Sequence, residues 1–219
     1  MQLTKGIAMG LALASASLVA PPAMAAEETE QPAYIVLVDE GAFELREYGA
    51  MLVAEVTHNG ERGRALNAGF PRLAAYIFGR DRPGAANDPA EREAIAMTSP
   101  VLQDQRAEIA MTAPVLQDAA SDAQWRTRFI MPAKYTLATL PQPPADVALV
   151  EMPARRVAAV RFAGFSSTSN LATAEVALRE WMAAQGLEPG GAAEFAFYDS
   201  PMVPPPLRRN EVLIPVKGE

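Results

Sequence analysis

The chain has 219 residues, a formal net charge of −7 and no cysteine. The absence of cysteine excludes disulfides, thiolate catalysis and CxxC metal sites, so stability must come from packing. The negative charge, with no extended run of Lys or Arg, disfavours binding to nucleic-acid phosphates and to anionic membrane surfaces.

The N-terminal residues 1–25 have the pattern of a cleavable export signal. Lys5 precedes an apolar run from Ile7 to Ala20, and Ala23-Met24-Ala25 has the small residues of a leader-peptidase site. The run is too short to span a bilayer comfortably, and the two prolines after it prevent a longer helix. We therefore predict a periplasmic or secreted protein without a membrane anchor. Residues 26–33 should form a flexible N-terminal segment, and residues 34–219 should form one domain. The alternative is an uncleaved amphipathic start.

Two strands and a helix are predicted next. Alternating residues indicate strands at Phe43–Tyr48 and Met51–Thr57, and Gly49-Ala50 is short enough to join them as a hairpin. Apolar residues then recur at helical spacing from Arg64 to Phe78, and Gly79 follows as a terminator. The members of this stripe are Leu66, Phe70, Leu73 and Ile77.

A decapeptide then occurs twice. After a polar, Pro- and Gly-rich segment at Asp81–Asp88, which predicts a mobile loop, Ile95–Asp104 reads IAMTSPVLQD and Ile109–Asp118 reads IAMTAPVLQD. Each copy begins with alternating apolar and small residues and then has a proline, which donates no amide hydrogen bond. Such a pattern predicts a short strand at an edge or bulge.

The second half repeats the order of the first. Strands are predicted at Val147–Val150 and Val157–Phe162, followed by a helix that ends at Gly186 and by a final strand pair, Glu194–Tyr198 and Glu211–Val216. The helix face contains Leu171, Ala174, Leu178, Trp181 and Met182. Six to nine strands with two helices predict an α+β domain, in which helices cover a curved antiparallel sheet.

Several motifs resemble the SOUL heme-binding protein family. They are IAMTAPV, FIMP at Phe129–Pro132, FAGFSS at Phe162–Ser167, and YDSP followed by RRNEV at Tyr198–Val212. The resemblance covers about residues 34–216. It implies a distorted antiparallel β-barrel of two pseudo-symmetric halves, each flanked by an α-helix. It also implies a non-covalent site for heme or another porphyrin in a shallow apolar groove.

The resemblance places the bound ring against the first helix. Phe70, Leu73, Ala74 and Ile77 would then supply apolar contacts, with Met202 from the last loop. Candidate cations for the propionates are Arg72 and the Arg208-Arg209 pair, because guanidinium groups bind carboxylates bidentately. Two alternatives remain open. The helical stripe can face the core instead, and Arg208-Arg209 can hold the loop by binding backbone carbonyls or Glu211.

Axial ligation of iron is predicted to be weak or absent. Some family members have a histidine where this chain has Glu47, and the one histidine, His58, ends a strand before a turn. Hydrophobic enclosure should therefore dominate binding, and metal-free porphyrin should bind about as well as heme.

Enzyme functions have little support in the sequence. The chain lacks GxSxG, GxxxxGK[ST], GxGxxG and HExxH, and Ser166-Ser167 is better explained as a turn and helix N-cap. The carboxylate pair Glu44 and Glu47 is typical of a solvated surface. The leading hypothesis is thus an exported tetrapyrrole-binding protein that is not an enzyme. The alternatives are an interaction module that has lost the ligand and a small-molecule hydrolase.

Overall fold

The computed structural model describes residues 29–83, 88, 92–105 and 123–218. In these ranges nine strands and two helices follow the order of the two predicted halves. The strands are β1 Tyr34–Glu40, β2 Phe43–Tyr48, β3 Met51–Asn59, β4 Val101–Gln105, β5 Gln124–Ile130, β6 Ala148–Met152, β7 Arg155–Ala163, β8 Glu194–Phe197 and β9 Arg209–Pro215. The helices are α1 Arg62–Ile77 and α2 Thr168–Ala184, and a short 3-10 turn covers Pro205–Leu207. Neither α1 nor α2 meets the length and apolarity that a bilayer span requires.

The strands form one curled antiparallel sheet, which confirms the α+β, SOUL-like fold class. Their order is β1-β2-β7-β9-β8-β4-β5-β3-β6. If the edge strand β1 is left out, a pseudo-two-fold axis between β8 and β4 relates the four strands on one side of the sheet to the four strands on the other. Leu102 of β4 pairs with Ala196 of β8 at that axis. The two halves therefore meet along the β4·β8 pair.

The predicted hairpin between β2 and β3 is wrong. Strand β2 pairs with β1 and β7, whereas β3 pairs with β5 and β6. Residues Gly49 and Ala50 therefore carry the chain from one half of the sheet to the other. The reason is that alternation identifies which face of a strand is buried but does not identify its partner.

Helix α1 is close to its predicted position, but its core stripe is rotated. The buried residues are Ala65, Gly69, Leu73, Tyr76 and Ile77, whereas Phe70 remains 38% exposed. Gly69 causes the rotation, because a Cβ there would lie 2.7 Å from Oγ1 of Thr127 on β5. The absent side chain lets the helix backbone approach the sheet closely, so Leu66 and Phe70 move to the flank.

Helix α2 agrees with its prediction. Ser167 is its N-cap, and the Ser167 hydroxyl accepts a hydrogen bond of 3.2 Å from the Asn170 amide. The helix ends before Gly186, which has a positive φ of 68°. The buried residues are Leu171, Leu178, Trp181 and Met182. Both helices cover the same face of the sheet, called here the helix face.

The structure describes parts of the two regions that precede β4. The first decapeptide copy enters β4 after Pro100, and β4 lies between β8 and β5 rather than at an edge. The second copy lies outside the described residues. Residues 84–87 of the predicted mobile loop lie outside the described residues. Before them, Arg82 is 4% exposed and donates to the carbonyls of Tyr76 at 2.7 Å and Ile77 at 2.8 Å. This side chain satisfies carbonyls that the end of α1 leaves without helical partners.

Candidate functional site

An apolar surface lies on the helix face above the β4·β8 pair. Strand registers place Val101 opposite Phe197 and Gln103 opposite Phe195, so these residues form its floor. Phe197 is half-buried, whereas the other three floor residues are buried. Helix α1 borders one side, and the loop that precedes α2 borders the other. We call this surface the interhelical site. Its residues are Arg62, Leu66, Phe70, Val101, Gln103, Phe165, Ser166, Phe195 and Phe197.

Aromatic rings make this site apolar and partly accessible. Phe70 packs edge-on against Phe129 of β5, with ring centroids 5.1 Å apart. Phe165 is 61% exposed on the opposite side, and Phe197 between them is half-buried. Exposed rings of this kind offer apolar area that a flat ligand could bury.

Arg62 closes the site at the N-terminal end of α1. Its Nη2 donates to the Ser166 carbonyl at 2.8 Å, and its Nη1 donates to Oε1 of Gln103 at 3.3 Å. The guanidinium also lies 5.9 Å from the ring centroid of Phe195. Burial lowers the pKa of Arg62, although the group remains a cation at neutral pH. Arg62 thus connects α1 to the loop before α2.

The opposite face of the sheet contains a buried ion network around Glu211, which is 0% exposed. Arg46 donates to both carboxylate oxygens of Glu211, at 2.7 and 3.1 Å. Arg209 donates to one of them at 2.7 Å, and the Tyr198 hydroxyl donates to the other at 2.7 Å. Burial raises the pKa of Glu211, but these donors outweigh it and lower the pKa to about 2. The network holds together β2, β9 and Tyr198, the residue that follows β8.

A second network lies on the same opposite face. Arg155 donates to both carboxylate oxygens of Glu194, at 2.6 and 2.7 Å, and Arg128 donates to Glu55 at 3.0 Å. The cleft beside Arg155 is lined by Tyr48, Leu102, Ile130 and Leu213, among others, and has room for about one water molecule. This cleft is too small for an organic ligand.

The candidate residues on α1 face three different directions. Leu73 and Ile77 are 0% and 1% exposed in the core beneath the helix, so no ligand can contact them without repacking. Ala74 packs partly against that core, and Arg72 forms ion pairs with Asp81 and Asp146. Of the four apolar candidates, Phe70 therefore presents the most accessible surface to the interhelical site.

The candidate residues of the last loop have mainly structural contacts. Arg208 donates to the carbonyls of Val203 at 2.7 Å and Pro201 at 2.6 Å, and it lies 5.7 Å from the ring of Phe165. Arg209 belongs to the Glu211 network, and Met202 is 89% exposed. Arg208 borders the interhelical site through Phe165, whereas Arg209 lies on the opposite face.

His58 is half-buried at the end of β3, in register with Trp125. The neighbouring Asp146 has a lowered pKa, for which hydrogen bonding from Arg72 is the largest cause. Glu47, which replaces the family histidine, is exposed on β2. In the described part of the chain, no three His, Asp or Glu side chains cluster as a metal site would require.

Sequence reasoning missed Arg62, Phe195 and Phe197 as site residues. Phe195 and Phe197 alternate on β8, and FAGFSS contributes Phe165 and Ser166, so the strand period was an available signal. Arg62 had no such signal, because its position follows from how α1 begins over β4. The pairing of β4 with β8 was needed to bring these residues together.

A family model described as "SOUL heme-binding protein" matches residues 29–215. No curated protein matches the chain.

Several solved structures share the fold at low sequence identity. The C-terminal domain of EcmrR has a TM-score of 0.56 at 10% identity, with 81% of this chain and 98% of that domain covered. An uncharacterized conserved protein from Listeria innocua has a TM-score of 0.52 at 12% identity, with 80% and 92% covered. A protein described as a hydrolase from Listeria innocua also has a TM-score of 0.52, at 10% identity, with 83% and 94% covered. At these identities the likeness shows a common fold alone.

Proposed function

This chain belongs to the SOUL heme-binding protein family, and on that premise we propose that it binds heme or a related tetrapyrrole non-covalently at the interhelical site. The observation that carries the proposal is the exposed aromatic surface between the helices. Phe70 and Phe165 flank it at 38% and 61% exposure, and Phe197 lies on its floor. A macrocycle placed there would remove apolar area from water on both partners.

Coordination of iron by the protein is expected to add little to this binding. The interhelical site, as defined by its nine residues, contains no His, Met, Cys or Tyr that could ligate iron. The residues therefore suit a porphyrin held by its faces and by its propionates. We accordingly propose that metal-free porphyrin binds with an affinity similar to that of heme, and that the role is binding rather than catalysis.

The compartment is part of the same proposal. The pattern of residues 1–25 supports export, so the mature protein would meet its ligand in the periplasm or outside the cell. Mass spectrometry of the protein recovered from its native host tests this directly. A mature N-terminus at Ala26 is expected, and an intact Met1 on the recovered protein would contradict export.

A hydrolase function has less support, although a protein described as a hydrolase shares the fold. The Ser167 hydroxyl caps α2 and bonds to the Ser169 hydroxyl at 3.0 Å, so it is not aligned with a general base. Ser166 contributes its backbone carbonyl to Arg62. Neither contact activates a nucleophile.

The deciding experiment is a titration of the mature protein with hemin and, separately, with protoporphyrin IX. Saturable one-to-one changes in the Soret band are expected for both ligands, with dissociation constants within about fivefold of each other. Linear, unsaturable partitioning of both would refute tetrapyrrole binding and favour an interaction module of the same fold. Saturable binding of hemin alone would show that iron ligation, not enclosure, carries the affinity.

A further inference from the structure

Several buried or half-buried arginines pair with a carboxylate, but Arg62 does not, and in this it resembles Arg208, which donates to two backbone carbonyls. Arg46, Arg128, Arg155 and Arg209 each contact at least one carboxylate in the described part of the chain. Arg62 instead donates to a backbone carbonyl and a side-chain amide, both uncharged. The adjacent carboxylate of Glu61 accepts from the amides of Gly63 and Arg64, as the N-cap of α1.

The surroundings of Arg62 leave its positive charge poorly compensated. Its Nε is buried without a hydrogen-bond partner in the described structure. The N-terminus of α1 adds the positive end of the helix dipole at the same place. A desolvated cation of this kind gains more from an incoming anion than a solvated one does, because water screens the interaction less.

The guanidinium has five N–H donors, and the two described bonds use one hydrogen on Nη1 and one on Nη2. One hydrogen on each Nη has no described partner, and a carboxylate can accept a charge-assisted hydrogen bond from such a donor. The ring of Phe195, which is buried in the floor of the site, has its centroid 5.9 Å from the guanidinium. Cation and apolar floor thus adjoin each other.

We propose that Arg62 binds a carboxylate of the ligand in the interhelical site, so that this site selects flat apolar molecules with an acidic edge. This inference rests on the proposed function, and it identifies the propionate side of the porphyrin as the side that points to the start of α1. Arg62 takes the place of Arg72 and Arg209 as the cation for the propionates, because both of those arginines are already paired with carboxylates.

The test is a double-mutant cycle between the protein and the ligand. Wild type and Arg62→Gln are each titrated with protoporphyrin IX, which has two free propionates, and with its dimethyl ester, which has none. Arg62→Gln should weaken the diacid about tenfold and the diester less than about twofold, since a charge-assisted hydrogen bond contributes on that scale. Arg179→Gln is the matched control, because Arg179 pairs with Glu175 of the same helix and is not one of the nine residues of the interhelical site. It should leave both affinities unchanged.

The outcomes separate the two proposals. Equal weakening of diacid and diester by Arg62→Gln, or no weakening of either, would overturn the role of Arg62 and leave tetrapyrrole binding in place. Failure of wild type to bind either porphyrin would overturn the proposed function and this inference with it. Arg62→Lys keeps the charge without the planar fork, so it should recover part of the diacid affinity. Matched circular dichroism and thermal melts confirm that each variant is folded.

Discussion

The Glu211 network gives the sharpest stability prediction. Glu211→Gln keeps the shape of the side chain but removes the charge that faces Arg46, which is 1% exposed, and Arg209. The fall in the pKa of Glu211 from 4.5 to about 2 corresponds to about 3 kcal/mol of folding free energy at neutral pH. Removing one partner of a buried pair costs about 3–5 kcal/mol, which agrees with that value.

The pH dependence distinguishes an electrostatic loss from a packing loss. Because the folded-state pKa of Glu211 is depressed, its contribution is fully present above the unfolded value of 4.5. It is lost as pH falls towards about 2, at about 1.4 kcal/mol per pH unit. The difference in unfolding free energy between wild type and Glu211→Gln should therefore shrink from pH 7 to pH 3.

Urea unfolding at several pH values measures this difference. Glu188→Gln is the control, because Glu188 forms an exposed pair with Lys217 and should cost less than about 0.5 kcal/mol. An equal loss of stability for Glu211→Gln at pH 7 and pH 3 would refute the electrostatic explanation. A loss no larger than that of the control would show that the network makes no net contribution to the free energy of unfolding.

Two further predictions concern α1. Gly69→Ala should destabilise the protein by about 1–3 kcal/mol, because its Cβ would lie 2.7 Å from Oγ1 of Thr127. Gly63→Ala in the same helix is the control, and it should be neutral or stabilising by up to about 1 kcal/mol. Denaturant melts compare the two, and equal effects would contradict the close approach of α1 to the sheet. Phe70→Asp should weaken porphyrin binding about tenfold, while His58→Ala should change it less than about twofold. Titrations of folded variants check this, and a larger loss in His58→Ala would favour coordination over enclosure.

The sequence predicts local elements better than it predicts their partners. Both helices and the paired final strands follow from periodicity and terminating residues, because these signals are local. The false hairpin at Gly49-Ala50 shows the limit. Strands β2 and β3 are adjacent in sequence, yet each pairs with a strand from the second half of the chain, β2 with β7 and β3 with β6. Strand β1, at Tyr34–Glu40, was not predicted, since YIVLVDE has no clear alternation.

Buried charge is the second limit of sequence reasoning. Glu44 has the pattern of a solvated carboxylate, but it accepts a 2.6 Å hydrogen bond from the buried Arg46. Likewise, nothing local distinguishes Arg62, whose acceptors lie 41 and 104 residues away in the chain. Such contacts depend on which strands meet, so they cannot be read from spacing.

The pseudo-two-fold axis favours the helix face for the proposed ligand site. On the opposite face, the axis relates the cross-strand pair Arg161 and Glu211 to the pair Glu55 and Arg128, with the positions of acid and base exchanged. Both pairs belong to ion networks on this face. On the helix face, the same axis places β4 and β8 between two helices that cover their own halves. The apolar surface left along that junction is where we propose that a flat hydrophobic ligand binds.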